Sequence, residues 1–312
     1  MKTPFATVTL APAIDRTVRL DAPLLAADVC RVVEESDEPG GKGVNVAKML
    51  ARLGAPVAAG GLLGGADAAV FERALRRAGV ADRFVRVPGE TRRNLMLLGT
   101  DGAERKINFP AFPALEFDAA LLREVARRAA GDAAAVVVSG SLPQRFPAAA
   151  AAALVRELHA LGKTVVLDVS GEALRLAAAE APAVLKPNRR EAAQLLGRAL
   201  ETDADLLRAC RELARNHEAV VLSDGAGGAW FGRGDEFWRA RAPDVPVVDT
   251  TAAGDMMLGA FCASYFPDRV LRPETMARAV AAGAAAVGLP SSPAPDPARI
   301  SALAALVSPE RA

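Results

Sequence analysis

Two short segments carry residue types able to do chemistry, and each opens a helix. Pro39-Gly40-Gly41-Lys42-Gly43-Val44-Asn45 leads into a pattern in which Val46, Leu50 and Leu53 share one helical face, closed by Gly54. Its glycines let a ligand approach the backbone closely, a helix N-terminus favours anions or hydroxyl acceptors, and Lys42 and Asn45 add donors. Asp249-Thr250-Thr251-Ala252-Ala253-Gly254-Asp255 runs into Met256-Met257-Leu258-Gly259. Small residues before a helix leave N–H groups pointing outward, an anion hole suited to a transferring phosphoryl group. Asp255, in the first turn, is placed to take a proton from a hydroxyl held there. Each segment also has a plain reading. The first is a glycine turn with a helix cap, and the second a helix start whose acid complements the dipole.

Other chemistries are poorly provided for. The two histidines are His159 and His217, and Val221 stands where a second zinc-binding histidine would follow His217-Glu218. There is no G-x-S-x-G elbow and no complete G-x-G-x-x-G. Gly162-Lys163-Thr164 ends like a phosphate-binding loop, but Glu157 replaces the first glycine and the segment lies between helix and strand, the wrong order. Cys30, Cys210 and Cys262 are odd in number and far apart, so a reducing, cytoplasmic setting is expected. Lys+Arg of 38 against Asp+Glu of 37 excludes a general nucleic-acid coat or a polybasic membrane protein. The N-terminus lacks the apolar core of a signal peptide. The most apolar stretch, Ala279–Leu289, is far short of the ~20 residues that span a bilayer.

Positioning the two segments requires a scaffold. The 312 residues allow about two domains, or one large α/β domain with an insertion. From about residue 133, apolar runs at Ala133–Val138, Thr164–Val169, Ala183–Leu185 and Ala219–Leu222 alternate with helical patterns at Pro147–Leu161 and from Arg190. Strands apolar on both faces, separated by helices, predict an α/β fold with a mostly parallel central sheet covered by helices on both sides. The last 60 residues read as mostly helical, with a loop near Ser291–Ala298. The first 110 differ. Thr17–Leu20, Val29–Glu35, Arg93–Leu98 and Arg105–Asn108 alternate apolar with polar, which suits a small sheet with one wet face. The expected division is a large domain from residues 1–12, 37–90 and 111–312, and a β lid from 13–36 and 91–110.

Taken together, the two segments resemble the paired signatures of the PfkB family of carbohydrate kinases, within the ribokinase-like superfamily. Five further segments fall in the family's order. Thr9-Leu10-Ala11-Pro12-Ala13-Ile14-Asp15 resembles its opening T-L-N-P-A-x-D, and Thr91-Arg92-Arg93-Asn94 its lid segment. Ser139-Gly140-Ser141-Leu142-Pro143 resembles the loop after its central strand. Lys186-Pro187-Asn188-Arg189-Arg190-Glu191 is similar to K-P-N-x-x-E, and Ser223-Asp224-Gly225-Ala226-Gly227-Gly228 to its nucleotide loop. Gly41–Lys48 and Ile107-Asn108-Phe109, followed by Phe112, most resemble the bacterial 1-phosphofructokinase branch. The cations near the lid, Lys42, Arg92, Arg93, Arg105 and Lys106, agree with a phosphorylated rather than a neutral sugar, although Arg93 and Arg105 read better as the solvated face of the lid strands.

The resemblance implies ATP-dependent phosphorylation of a ketohexose phosphate, fructose 1-phosphate at its 6-hydroxyl being favoured. Asp255 would be the base and the N–H groups of Ala252, Ala253 and Gly254 the anion hole. Asp15, Gly41, Lys42, Asn45, Arg92, Asn94, Asn108 and Ser139 would bind the sugar, with Arg92 and Lys42 on its resident phosphate. Lys186, Asn188, Ser223, Gly225 and Gly228 would line the nucleotide side, with Mg²⁺ held through water near Asn188 and Glu191. A homodimer through the lid is implied. Kinases acting on fructose 6-phosphate or tagatose 6-phosphate, a ribokinase-type enzyme for a neutral sugar or nucleoside, and a non-catalytic sugar-phosphate sensor remain alternatives. The chain departs from the family at Ala11, Ala252 and Asp224. Ala252 is the sharpest departure, because alanine serves an anion hole without strain only at negative φ.

Overall fold

The computed structural model describes residues 4–24, 29–289 and 293–312. The chain begins β1 (Phe5–Thr9), β2 (Ala13–Leu20), β3 (Val32–Gly40), α1 (Lys42–Arg52), β4 (Val57–Gly64), α2 (Ala68–Ala78) and β5 (Ala81–Val87). It continues β6 (Arg93–Leu98), β7 (Glu104–Ile107), α3 (Ala119–Ala130), β8 (Ala135–Ser139), α4 (Ala149–Ala160), β9 (Thr164–Asp168) and α5 (Gly171–Ala178). Then come β10 (Val184–Leu185), α6 (Arg189–Leu196), α7 (Asp203–Leu213), β11 (Ala219–Ser223), β12 (Ala229–Arg233) and β13 (Glu236–Ala240). The chain closes with α8 (Ala253–Tyr265), α9 (Pro273–Val287), α10 (Pro297–Ala304) and β14 (Glu310–Arg311).

The large sheet has ten strands in the order β14-β13-β12-β11-β10-β9-β8-β1-β4-β5. It is parallel from β5 to β11 and antiparallel beyond. Its central strands explain the continuous apolar runs. Val136 and Val138 pack with Leu122, Leu154 and Leu206 from the helices on one face, whereas Ala135 and Val137 pack with Leu50, Phe71 and Phe261 on the other. Two buried faces leave no polar register, so alternation disappears from the sequence. β1, β4, β5 and the β12–β13 hairpin are not predicted by patterning. β4 reads VAAGGLLG, with alanine and glycine where a strand usually shows β-branched residues, so its local signal is weak. Among the described residues no helix is long and apolar enough to cross a membrane.

The small sheet has the order β3-β2-β6-β7. β6 matches its predicted bounds, while β3 runs on to Gly40 and so hands the chain directly to the glycine turn before α1. Its register sorts the side chains. Asp15 pairs with Asn94 and Thr17 with Met96, which pairs with Lys106, so these stand on one face. Val18 pairs with Leu97, and Leu95 with Ile107, on the other. The face lining the cleft is the polar one, carrying Asp15, Asn94 and Lys106. His217, buried just before β11, has Nδ1 within 2.8 Å of the Pro182 carbonyl, a structural contact.

Candidate active site

Ala11, Gly140, Ser170 and Ser223, at or just beyond the carboxyl ends of β1, β8, β9 and β11, line a cleft of about 980 Å³. That edge is where open α/β sheets bind ligands, because loops and helix N-termini converge there. The opposite wall is the polar face of the small sheet.

The heads of α1 and α8 meet on the cleft floor. Gly41, at φ 112°, turns the chain from β3 into α1 in a conformation that favours glycine, and no side chain caps the helix. This brings Asn45 to the first turn, where its Nδ2 donates to Asp255 Oδ2 at 2.9 Å. Asp255 is 5% exposed. Burial, then the neighbouring Asp168 charge, push its carboxyl up to about 7, against the opposing pull of Asn45, Lys42 and Lys186. An acid poised there is matched to general base work near neutral pH.

Asp168, at the end of β9, is fully buried and was not singled out from the sequence. Its Oδ1 accepts from Lys42 Nζ at 3.2 Å and lies 3.0 Å from Lys186 Nζ, while its Oδ2 accepts from Ser139 Oγ at 3.1 Å. Burial alone would raise its carboxyl, but Lys186 and Lys42 outweigh that and hold it below the usual range. The available signal was an acid closing an otherwise apolar strand run, Thr164–Asp168. Lys186 is 4% exposed, and its Nζ comes within 3.5 Å of where a side chain on Gly254 would begin. A glycine at that point leaves room for an ammonium beside the head of α8.

Ala252 sits at φ 61°, ψ 1°, in the left-handed region. The expected negative φ is not found. Its carbonyl accepts from the N–H groups of both Asp255 and Met256, at 2.9 Å each, which ties the bend to the helix start. The strain is about 1 kcal/mol or more, which the family's glycine would avoid.

On the wall formed by the small sheet, Asn94 Nδ2 donates to Asp15 Oδ1 at 2.8 Å, and Asn94 Oδ1 accepts from the Phe109 N–H. Partial desolvation raises the Asp15 carboxyl, opposed by Asn94, Lys48, Arg92 and Lys106. Arg92 donates to the carbonyls of Ala11, Pro12 and Phe109, so its guanidinium is held at the cleft mouth. Asn108 lines the same wall. Lys42 and Arg92 line the same cleft but have different anchors: Lys42 lies in the field of Asp168, Asp255 and Glu191, whereas Arg92 feels Asp15.

Lys186, Asn188, Ser223, Gly225 and Gly228 line the other end. Asn188 and Glu191 form the capping box of α6, each side chain accepting from the other's N–H at 2.9 Å. Ser139 and Glu191 are buried below the surface rather than lining the cleft, so Ser139 supports Asp168 instead of touching a sugar. The departure at Asp224 has a partner. Arg189 Nε and Nη2 grip its carboxylate at 2.6 and 2.7 Å, fastening the 223–228 loop to the head of α6.

Residues 8–299 match the model of the pfkB family carbohydrate kinases. The chain belongs to this family. It is thus a sugar kinase, and relatives named 1-phosphofructokinase occur across several species. That of Vibrio cholerae is 35% identical over 91% of this chain and 90% of its own. That of Xanthomonas campestris is 40% identical over 84% of each. Among solved structures, phosphofructokinase-2 from Escherichia coli in complex with potassium superposes with a TM-score of 0.88 at 27% identity, covering 98% of this chain and 99% of that one. Family membership gives the cleft its reaction class, and the ribokinase-like architecture accounts for the two sheets.

Proposed function

We propose that this kinase transfers the terminal phosphoryl group of ATP to the 6-hydroxyl of fructose 1-phosphate. The observation that carries the reading is Asp255, buried at the head of α8 with a carboxyl raised to about 7, facing a wall that holds Asp15, Asn94 and Arg92. Relatives that carry the name 1-phosphofructokinase support the choice of acceptor. Asp15 and Asn94 bind sugar hydroxyls, and Gly41 and Asn108 shape the same subsite. Arg92 takes the resident phosphate. Asn45 orients Asp255, which accepts the hydroxyl proton as the oxygen attacks phosphorus. The N–H groups of Ala252, Ala253 and Gly254 face the charge that develops on the phosphoryl oxygens. Lys42 and Lys186, both anchored by Asp168, flank it from the nucleotide side. Ser223, Gly225 and Gly228 line the nucleotide's path.

Asn188 and Glu191 are the residues placed to hold a divalent ion, through water. Among the described residues there is no cluster of three His, Cys, Asp or Glu side chains able to hold one. Asn188 Oδ1 and Glu191 Oε2 are already committed to the helix cap, which leaves Glu191 Oε1 outside it. Asn188 and Glu191 would hold Mg²⁺ through water. The ion's contribution when bound is neutralisation of phosphate charge.

Release of ADP, measured across a panel of phosphorylated and plain ketoses, tests the reading. Fructose 1-phosphate should give the highest kcat/KM and fructose none. A second acceptor is favoured by one observation: the E. coli phosphofructokinase-2 in complex with fructose-6-phosphate shares this fold at a TM-score of 0.86. Higher kcat/KM with fructose 6-phosphate would move the assignment there. Arg92→Ala should weaken binding of the phosphosugar by roughly 1.5–3 kcal/mol, the scale of a charge-assisted hydrogen bond, and leave the KM for ATP alone. An unchanged sugar KM would reduce Arg92 to a brace for the Ala11 and Pro12 carbonyls.

The small sheet acts in this reading as a lid, and its outer face needs a cover. Val32 is 56% exposed, Val33 62% and Ile107 40%. A four-stranded sheet does not bury such a face alone. A two-fold dimer through the two lids covers it and helps exclude water, which competes with the sugar hydroxyl for the phosphoryl group. Light scattering at micromolar concentration should report twice 32.3 kDa, and a monomer mass with and without substrate would reject the dimer.

A further inference from the structure

Lys106 is absorbed by none of these roles. It stands on the cleft face of β7, in register with Met96 and Thr17, and its side chain crosses the cleft. Lys106 Nζ donates to Asp249 Oδ1 at 2.9 Å and to Thr251 Oγ1 at 2.8 Å. Asp249 and Thr251 belong to the irregular segment between β13 and α8, immediately before Ala252. Asp249 Oδ1 also accepts from the Thr251 N–H at 2.8 Å and from Thr251 Oγ1 at 2.6 Å. One carboxylate oxygen thus gathers a turn of the loop and a cation from the lid. At its base the segment is pinned to α9, the Val248 and Asp249 N–H groups both donating to the Val287 carbonyl. Its other end is Ala252, in a left-handed conformation that an alanine keeps only while its surroundings impose it.

We propose that Lys106 is a positioning residue that couples placement of the small sheet over the acceptor to the shape of the anion hole, acting through Asp249 and Thr251. The proposal rests on the kinase reading above. With the lid seated, Lys106 completes the contacts that hold residues 249–251, and Ala252 keeps the bend that aims the first N–H groups of α8 into the cleft. With the lid away, the loop loses its cation and the strained bend loses one of its supports. A hole that is fully formed only beneath a seated lid would disfavour transfer of the phosphoryl group to water, since the lid carries the acceptor's subsite. Thr17 and Met96 share the face of Lys106 but present no charge that could replace it, and the lid's cleft-lining arginines are committed elsewhere, Arg16 to Asp37 and Arg92 to three carbonyls.

Two variants separate this role from others. Asp249→Asn keeps an oxygen to accept from the Thr251 N–H but removes the charge that Lys106 meets. Lys106→Met keeps the stem and removes the ammonium. Each should lower kcat about 10- to 100-fold, the scale of a lost charge-assisted hydrogen bond, with little change in the KM for fructose 1-phosphate. The double variant should be no worse than either single one, because both break the same link. Lys106→Arg should recover most of the kcat. Additive losses in the double variant would overturn the coupling. So would a rise in sugar KM at constant kcat in Lys106→Met with Asp249→Asn unaffected, which would make Lys106 a ligand of the resident phosphate. Wild-type protein is assayed beside the variants. If it turns over no acceptor, the kinase reading falls and this proposal falls with it, whereas a working wild type with unaffected variants rejects the coupling alone.

Discussion

Asp255→Asn is expected to lower kcat by about 10²–10⁴, the range lost when a positioned base is removed. The side chain keeps its shape, and an amide oxygen can still accept from Asn45 Nδ2, so the floor of the cleft should stay intact. In the wild type, kcat/KM should rise with pH through a limb near about 7, where Asp255 gives up its proton in the free enzyme. The variant should lose that limb. Stability should move the other way. The folded-state pKa of Asp255 lies above its unfolded value, so across that window the folded chain holds a proton the unfolded chain has released. Its contribution is full at low pH and is lost as pH rises through about 7, where a charge must be carried inside the protein. Asp255→Asn should therefore melt higher than wild type at pH 8, with the difference shrinking toward pH 5. Near-normal turnover in the purified variant would remove Asp255 from the mechanism, and a pH-independent melting difference would contradict its electrostatics.

Asp168→Ala should cost both stability and rate. Removing the carboxylate strands Lys186 and Lys42 around a site that is fully buried, leaving them Asp255 and, for Lys42, Glu191 as neighbouring acids. Breaking a buried ion pair from one side costs about 3–5 kcal/mol, because the partner's charge stays desolvated. Denaturation in urea reads that loss. Asp168→Asn is the gentler variant, since it keeps an acceptor for Ser139 Oγ and at least one lysine. It should fold, yet its kcat should fall by about 10² if lysine placement is what Asp168 supplies, the cost of displacing a catalytic group by about 1 Å. It should also move the acid limb of kcat/KM to lower pH, because the repulsion that helps raise Asp255 is gone. Wild-type kcat with an unshifted limb in Asp168→Asn would show that the lysines hold their places without it.

The sequence by itself determined the local parts. Runs such as Val136–Val138 and Thr164–Asp168 declare doubly covered strands, and alternation at Arg93–Leu98 declares a half-wet one. The glycines before α1 and the small residues before α8 mark two helix heads, and their order along the chain, with the other segments, suffices to recognise the family. These signals are legible because each depends on residues within a few positions of one another. Where a strand lacked its own signal, as in the glycine- and alanine-rich β4, the neighbours that pair with it supplied the stability, and the sequence alone was silent.

Tertiary structure decided what those parts do to one another. Asn45 and Asp255 are 210 residues apart and Lys42 and Asp168 126, so their contacts follow from how α1, β9 and α8 stack at one edge of the sheet. The same stacking ties Lys42 to Asp168 and buries Ser139 beneath Asp168. Strand register, a difference of one residue, turned Asp15, Asn94 and Lys106 toward the cleft and the apolar residues outward. The pKa of Asp255 belongs to this level too. Burial and a neighbouring carboxylate set it, and neither exists until segments distant in sequence close around one small volume.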